Sequence, residues 1–460
     1  QRLAALTATL DVSERKARRL LSLISTMKRS GTQPEPGSEL ERAAQTYAQA
    51  LDVEGRIDFD DLIGVTIRLF EEDEEVRSRI AARFEWICID EYQDIDAQQY
   101  TMIRLLVPEG GNLCVIGDPD QAIYGFRGAD VGFFLRFEDD FPNAKRVRLH
   151  QNYRSTPIIV DAALQAMAPA PLEPPRRLEA VRLDGEPITM HAAATEKSEA
   201  EFIVKTLEKL LGGHTFFSID SGRSTGAEDT DYSFSDTAIL YRTEAQAQAL
   251  TEALDRSGIP YQSRSHGQLA DHTEVASWIE ALQQRAEGSE RTAWEQLEAL
   301  AQETQGGERL LELLKPLVSP TETDIDALID ALILCTDMEQ WDPRAERVSL
   351  LTLHASKGLE FRVVFLVGCE DGLLPLRWGG DEEVDTAEER RLFYVGMTRA
   401  KERLYLLRAN SRQRNGQVQE LLPSPFLKEI PSRLVHHAAA YVPKTKKAEP
   451  DAKADQLSLW

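Results

Sequence analysis

Trp86-Ile87-Cys88-Ile89 is a short apolar run that stops on two carboxylates, Asp90 and Glu91, and no other stretch limits the fold of this chain so tightly. It is too short for a helix and is bounded by polar residues, so it reads as a buried strand delivering acids to its carboxyl end. That is where parallel α/β sheets place their ligands. A second run, Leu113-Cys114-Val115-Ile116, ends in the same way on Gly117 and Asp118. From Asp58 to Leu149 these strands alternate with helical stretches, the pattern of a parallel sheet.

The alternation resumes downstream. Strands are expected at Ile188–His191, Thr237–Tyr241, Val348–Leu353, Val363–Val367 and Arg403–Leu407, with helices over Glu196–Leu211, 272–340 and 386–400. The chain is therefore of the α/β class. Residues 1–57 read as helical, with Leu3, Leu6, Leu10 and then Leu20, Leu21 and Ile24 at helical spacing and an interruption between Gly31 and Gly37. Residues 170–186 are Pro-rich and connect, 212–231 read as a loop, and 436–460 lack periodicity and read as a disordered tail.

With 460 residues the chain has room for more than one core. The formal charge of −24 argues against nucleic acid only superficially, because phosphate binding needs local basic patches and much of the acid lies in runs such as Glu71–Glu75. The four cysteines form no C-x-x-C pair, so neither a metal site nor a disulfide framework is expected, and Cys88 and Cys114 read as packed thiols. No apolar run is long enough for a membrane span and no signal peptide is legible, so a reducing cytoplasm fits. Residue 1 is Gln, which reads as a piece of a longer protein.

Several groups carry chemistry. Asp90 is placed to hold Mg²⁺ through water, and Glu91 to orient or activate an attacking water. Gln121 can donate to and accept from a phosphate or that water. Tyr124 and Phe126, with Arg127 beside them, suit stacking on unpaired bases, although a core role suits Tyr124 equally well. Tyr153 beside Arg154 can stack an adenine and reach a phosphate. Thr352, His354 and Gly358 lie in a glycine turn after a strand, suited to phosphate contacts, while His354 also suits a structural histidine. Arg399 is read as carried on a helix and offered as an arginine finger. The phosphate-cradling loop G-x-x-x-x-G-K-[ST] occurs nowhere in the chain.

In order along the chain, DEYQD at 90–94, GDPDQAIYGFRGA at 117–129, QNYRST at 151–156, TLHASKGLEF at 352–361 and YVGMTRAK at 394–401 resemble the motifs of UvrD/Rep-type superfamily 1A DNA helicases. The likeness extends to about residue 432. It implies two RecA-like parallel-sheet domains, the first incomplete, with helical insertions. The expected divisions are 1–57, a helical remnant; 58–150, part of the first RecA-like domain; 151–271 and 347–435, the two parts of the second; 272–346, a shortened helical insertion; and 436–460, the tail.

The resemblance further implies an ATP-fuelled motor moving 3′ to 5′ on single-stranded DNA. Asp90 would bind Mg²⁺ and Glu91 would be the base. Gln121, Arg154 and Arg399 would touch the γ-phosphate, Tyr153 the adenine and Glu360 the ribose. Gly358 would serve the nucleotide, and Tyr124, Phe126, Arg127, Thr352 and His354 the DNA. Three departures stand out: the Walker A region is absent, the second insertion is short, and Phe126 stands where relatives often carry Trp. The chain alone is therefore expected to be inactive on ATP.

A different class is a non-catalytic DNA- or partner-binding module that keeps the fold. A third, the helicase half of a helicase–nuclease, lacks any Asp…Glu-x-Lys constellation in the C-terminal region. The last residues, with Gln456, Leu457, Leu459 and Trp460, resemble a bacterial sliding-clamp binding peptide with Trp in place of Phe.

Overall fold

A computed structural model describes residues 10 and 12–438, apart from 109, 174–176, 213–231, 265–272, 286–291, most of 305–344, 378–384 and 415. The sliding-clamp segment, the tail from 439 and the loop at 213–231 lie outside the described residues. By their contacts the residues form two compact units. Unit one comprises 1–153, 160–183 and 379–398; unit two comprises 154–159, 184–378 and 399–460.

Unit one is mostly helical. The helices Glu14–Ser30 and Glu39–Glu54 pair through Ala17, Leu20 and Ile24 against Ala43, Tyr47 and Leu51. Gly31 ends the first of them in the left-handed region, φ 67°, which is why the glycine reads as an interruption. Asp58 and Asp61 form a capping box on the next helix, Phe59–Glu72. Lys28 reaches across to both of them, at 2.8 and 2.7 Å. Burial works to raise the Asp58 carboxyl, but the Lys28 ammonium and the Asp61 amide outweigh it and hold it below the ordinary carboxylate range.

Strands β1 (Trp86–Ile89) and β2 (Asn112–Val115) pair in parallel, with Cys88 opposite Cys114. Here the structure corrects the expectation of a buried strand. The sheet has two strands, and one face packs on Tyr92, Ile95, Ile103 and Phe133. The other face is open: Trp86 is 67 % exposed, and Cys88 and Cys114 are exposed rather than packed. An apolar run reads alike whether one face is covered or two. A further short parallel pair, β3 (Gln151–Asn152) with β4 (Glu179–Ala180), also lies in this unit.

Unit two is built on an eight-stranded sheet. Its strands are β5 (Ile188–Thr195), β6 (Thr237–Tyr241), β7 (Tyr261–Arg264), β8 (Val348–Thr352), β9 (Phe361–Leu366), β10 (Ala400–Arg414), β11 (Gln417–Glu420) and β12 (Val435–His437). The order is β12-β5-β10-β9-β6-β8-β7, all parallel, with β11 antiparallel on the far end of β10. Every residue of β6 and β8 is buried, as expected of central parallel strands covered on both faces. The helices Glu196–Leu210 and Ala247–Arg256 supply Ile203, Val204, Leu207, Leu250 and Leu254 to the sheet core. Between β7 and β8 the helices Thr273–Arg285 and Ala293–Glu303 build a separate small core around Trp278.

One buried ionic cluster ties this unit together. Arg412 on β10 donates through Nε to Glu370 at 2.7 Å and through Nη2 to both Glu370 and Glu199. Glu370 also accepts from the Ala409 amide, and Glu199 from the Gly368 amide. Burial pushes the Glu199 carboxyl up, against the pull of Arg412.

Candidate functional site

In unit one the expected site residues sit on two turns that leave β1 and β2 at their carboxyl ends. Asp90 and Glu91 are both exposed. Glu91 has φ 52°, a left-handed conformation that a non-glycine residue rarely adopts, and it starts the helical turn Tyr92–Asp94. The Asp90 carboxylate accepts the Glu91 amide at 2.9 Å, which fixes both acids at the strand end.

Gln93 joins the two turns and was not singled out from sequence. It is fully buried. Its Nε2 donates to Glu91 at 2.5 Å and to Asp94 at 3.2 Å, while its Oε1 accepts the Asp118 amide at 2.9 Å. A Cβ on Gly117 would stand 2.5 Å from that Oε1 and 2.8 Å from the Phe134 ring, so the glycine is required for this approach. Asp118 then holds Gln121, accepting its Nε2 at 2.9 Å, and caps the turn by accepting the Asp120 amide at 3.0 Å. Glu91, Gln93, Asp118 and Gln121 thus form one continuous chain of hydrogen bonds.

The same loop continues into the aromatic pair. Phe126 is 63 % exposed and Tyr124 is half-buried, with ring centroids 6.2 Å apart. The Arg127 guanidinium stands 5.5 Å from each centroid. A cleft of about 230 Å³ opens beside them, lined by Tyr124, Arg127, Arg29, Asp94, Asp96 and Gln99. Burial raises the Asp96 carboxyl, against the amides of Gln99 and Gln98.

The helix Thr386–Met397 belongs by its contacts to this unit and backs the loop. Arg391 is buried and donates to the Ala122 carbonyl at 2.7 Å, and a Cβ on Gly125 would meet the Glu388 carboxylate at 2.5 Å. Burial raises the Glu388 carboxyl, against the attraction of Arg391. The run 388–391 is visible in the sequence as charge, but nothing in it signals these partners. Tyr153, the last residue of this segment of unit one, is 69 % exposed, with its hydroxyl donating to Gln151 at 2.5 Å.

In unit two Arg154 meets Glu360 at 2.6 Å, and Lys401 meets the other oxygen of the same carboxylate at 2.7 Å. Hydrogen bonding from Lys401, aided by Arg154, holds the Glu360 carboxyl below its ordinary range despite partial burial. Thr352 is buried, and its hydroxyl accepts the Ala355 amide at 3.2 Å. His354 is half-buried, and its carbonyl accepts the Lys357 amide. Gly358 takes φ 82° in open space, a turn that a side chain would strain.

Arg399 does not lie on a helix. The helix ends at Met397 with Thr398 as its cap, and Arg399 leads directly into β10. It is 1 % exposed and donates to the Leu359 carbonyl at 3.0 Å. The apolar periodicity of 392–397 gave no stop signal, because the chain turns here without glycine or proline.

The chain is similar to known proteins over most of its length. The UvrD/REP helicase N-terminal domain model matches residues 2–142, and the UvrD-like helicase C-terminal domain model matches 147–325 and 274–411. An ATP-dependent DNA helicase PcrA of Staphylococcus aureus (strain MRSA252) is 30% identical, over 88% of this chain and 66% of its own length. A PcrA of Leuconostoc citreum is 31% identical, over 95% of this chain and 70% of its own. The chain thus spans about two thirds of the length of these relatives. No described helix is long and apolar enough to cross a membrane.

Proposed function

This chain belongs to the UvrD/Rep helicase family, and we propose that it is the greater part of an ATP-dependent DNA motor that moves 3′ to 5′ on single-stranded DNA. The observation that carries this reading is the continuous loop 117–128. At one end it is hydrogen-bonded through Gln93 to Glu91, and at the other it presents Tyr124, Phe126 and Arg127 to solvent. A change at the acids is thereby transmitted to the stacking rings within one segment.

Among the described residues no three acids gather to hold a metal ion by themselves, so Asp90, exposed at the carboxyl end of β1, would supply a single hard oxygen donor to Mg²⁺ carried by the nucleotide. Bound Mg²⁺ and ATP supply the phosphoryl group whose transfer to water drives such motors. In our reading Asp90 holds the metal through water and Glu91 takes the proton of the attacking water. Gln121 orients that water, while Arg154 and Arg399 answer the γ-phosphate charge. Tyr153 stacks on adenine, Gly358 gives the turn close to the nucleotide, and Glu360 touches the ribose. Thr352 and His354 lie on the DNA side.

We further infer that the chain by itself hydrolyses ATP negligibly, since it holds no G-x-x-x-x-G-K-[ST] loop. It acts in the cytoplasm on single-stranded or partly duplex DNA, and its last residues, Gln456, Leu457, Leu459 and Trp460, tether it to a sliding clamp. The test of the motor reading is DNA-stimulated ATP hydrolysis by this chain joined to a phosphate-binding loop. The expected result is turnover that Glu91→Gln removes while nucleotide binding persists. Binding of DNA and nucleotide with no turnover in the unsubstituted protein would favour the non-catalytic module instead.

A further inference from the structure

The segment that carries the stacking rings is tied at both ends to the chain just after β1. Gln93 accepts the Asp118 amide at 2.9 Å before it, and the Ile95 carbonyl accepts the Asp130 amide at 3.0 Å after it. Between these ties a further support comes from the helix Thr386–Met397. Glu388 and Arg391 stand one turn apart on that helix and so share a face. Arg391 is buried, and its Nε donates to the Ala122 carbonyl at 2.7 Å. The Gly125 amide hydrogen-bonds to the Glu388 carboxylate, and a Cβ on Gly125 would stand 2.5 Å from the same acid. A cation thus takes a carbonyl, and an anion takes an amide, of the same short stretch 122–125. Neither contact uses a side chain of the loop.

Hydrogen bonds that involve a charged group are shorter and stronger than neutral ones, so a pair of them on one stretch of backbone holds a loop firmly. Glu388 and Arg391 also attract each other, and Arg390 anchors the helix by donating to the Ala166 carbonyl at 2.7 Å. Gly125 is the first residue of the helical turn Gly125–Arg127. That turn is closed by the Arg127 amide on the Tyr124 carbonyl and the Gly128 amide on the Gly125 carbonyl, both at 2.9 Å. Phe126, 63 % exposed, is its middle residue. A shift at Gly125 therefore turns the Phe126 ring, while Ile123, fully buried, keeps its own place in the core.

We propose that Glu388 and Arg391 are positioning residues for DNA stacking: they hold Ala122 and Gly125 through the backbone and so set the direction in which Phe126 presents its ring. Both act through the loop and neither meets the DNA. Loss of either misdirects the ring without removing it, and leaves the phosphate contacts of the strand untouched. This deepens the proposed function and rests on it for single-stranded DNA as the partner of the ring.

The test is fluorescence anisotropy of a labelled oligothymidylate titrated with the full 460-residue chain. Removing a base–aromatic stack costs roughly five- to 150-fold in affinity, and a misdirected ring forfeits part of that. Arg391→Met and Glu388→Ala are each expected to weaken binding by about three- to tenfold with an unchanged salt slope, since neither residue meets a phosphate. Arg391→Lys keeps a donor for Ala122 and Glu388→Gln keeps an acceptor for Gly125, so each should bind within about twofold of the unsubstituted chain. In a Phe126→Ala background Arg391→Met and Glu388→Ala should each add less than about twofold. Thermal melts identify a variant that fails to fold; should the buried Arg391→Met do so, Glu388→Ala at its half-buried position carries the test. With Phe126→Ala weakening binding, unchanged affinity in the folded variants, equal weakening with and without the Phe126 ring, or no recovery in the conservative variants overturns the proposal alone. Phe126→Ala without effect, or no saturable binding by the unsubstituted chain, rejects the stacking reading and the proposal together.

Discussion

Replacing Arg412 with Met tests the ionic cluster that holds unit two together. Arg412 is 5 % exposed, Glu199 is 1 % and Glu370 is 0 %. The substitution keeps an apolar stem of similar length but removes the guanidinium bonds to both carboxylates. Taking away one partner of a buried ion pair generally costs about 3–5 kcal/mol, because the remaining charge is left uncompensated. The cheapest escape is for a carboxyl left without the guanidinium to take up a proton. That costs about 1.4 kcal/mol for each pH unit above an unfolded-state pKa of about 4.3, or roughly 3.7 kcal/mol at pH 7, so the two routes agree.

The pH dependence has a definite sign. Burial already raises Glu199 above its unfolded value. A carboxyl raised in the folded state gives stability that is complete below the unfolded pKa and lost as pH rises through the folded pKa. The variant extends this behaviour to one more proton. Urea unfolding followed by far-ultraviolet circular dichroism should show Arg412→Met destabilised by about 3–5 kcal/mol at pH 7. The deficit should shrink by roughly 1.4 kcal/mol per unit down to about pH 5. A loss below about 1 kcal/mol at pH 7, the range of a surface pair, or a loss that does not change with pH, would mean that Arg412 does not compensate buried charge.

Phe126→Ala should weaken single-strand DNA binding by roughly 1–3 kcal/mol with little change in its salt dependence, and leave the melting temperature unaltered; a lowered melt would make the ring part of the core. Gly117→Ala places a Cβ against Gln93 and Phe134, and urea unfolding should show it destabilised by roughly 1–3 kcal/mol; unchanged stability would mean that neither neighbour is held as described. A peptide spanning 450–460 should bind a bacterial sliding clamp saturably and lose binding when Leu459 and Trp460 become Ala; equal binding by both peptides would remove the clamp from the account.

The central sheet of unit two was legible because its strands are covered on both faces. Thr237–Tyr241 falls where the apolar run predicts, and Val348–Leu353 is one residue too long. Strand β10 is expected at Arg403–Leu407 but runs from Ala400 to Arg414, since after Leu407 it continues through polar residues that pair with β11 and bring Arg412 to its buried carboxylates. The edge strands β7 and β12 carry polar residues such as Gln262 and His436 and gave no apolar signal. Ile188–His191 was extended through the alanines 192–194, which are small enough to read as either helix or strand.

The motif residues of the candidate site were legible one by one, but their connections were not. Gln93 reads as a polar residue after two acids; only the fold brings the Asp118 amide to it from 25 positions away. Glu199 and Arg412 are separated by 213 positions, so no local pattern joins them. The exposure of Cys88 and Cys114 could not be read either, because it depends on what covers one face of a two-stranded sheet.

If Gln93 links the acids after β1 to the rings of the loop 117–128, nucleotide and DNA should bind interdependently. Reciprocal binding tests it in a polypeptide that carries this chain behind a phosphate-binding loop. The dissociation constant of a non-hydrolysable ATP analogue is measured with and without saturating single-stranded oligonucleotide, and that of the oligonucleotide with and without the analogue. Each ligand should change the affinity of the other by the same factor, and Gln93→Ala should bring that factor close to one while both ligands still bind. Independent binding in the unsubstituted protein, or a factor that survives Gln93→Ala undiminished, would contradict it.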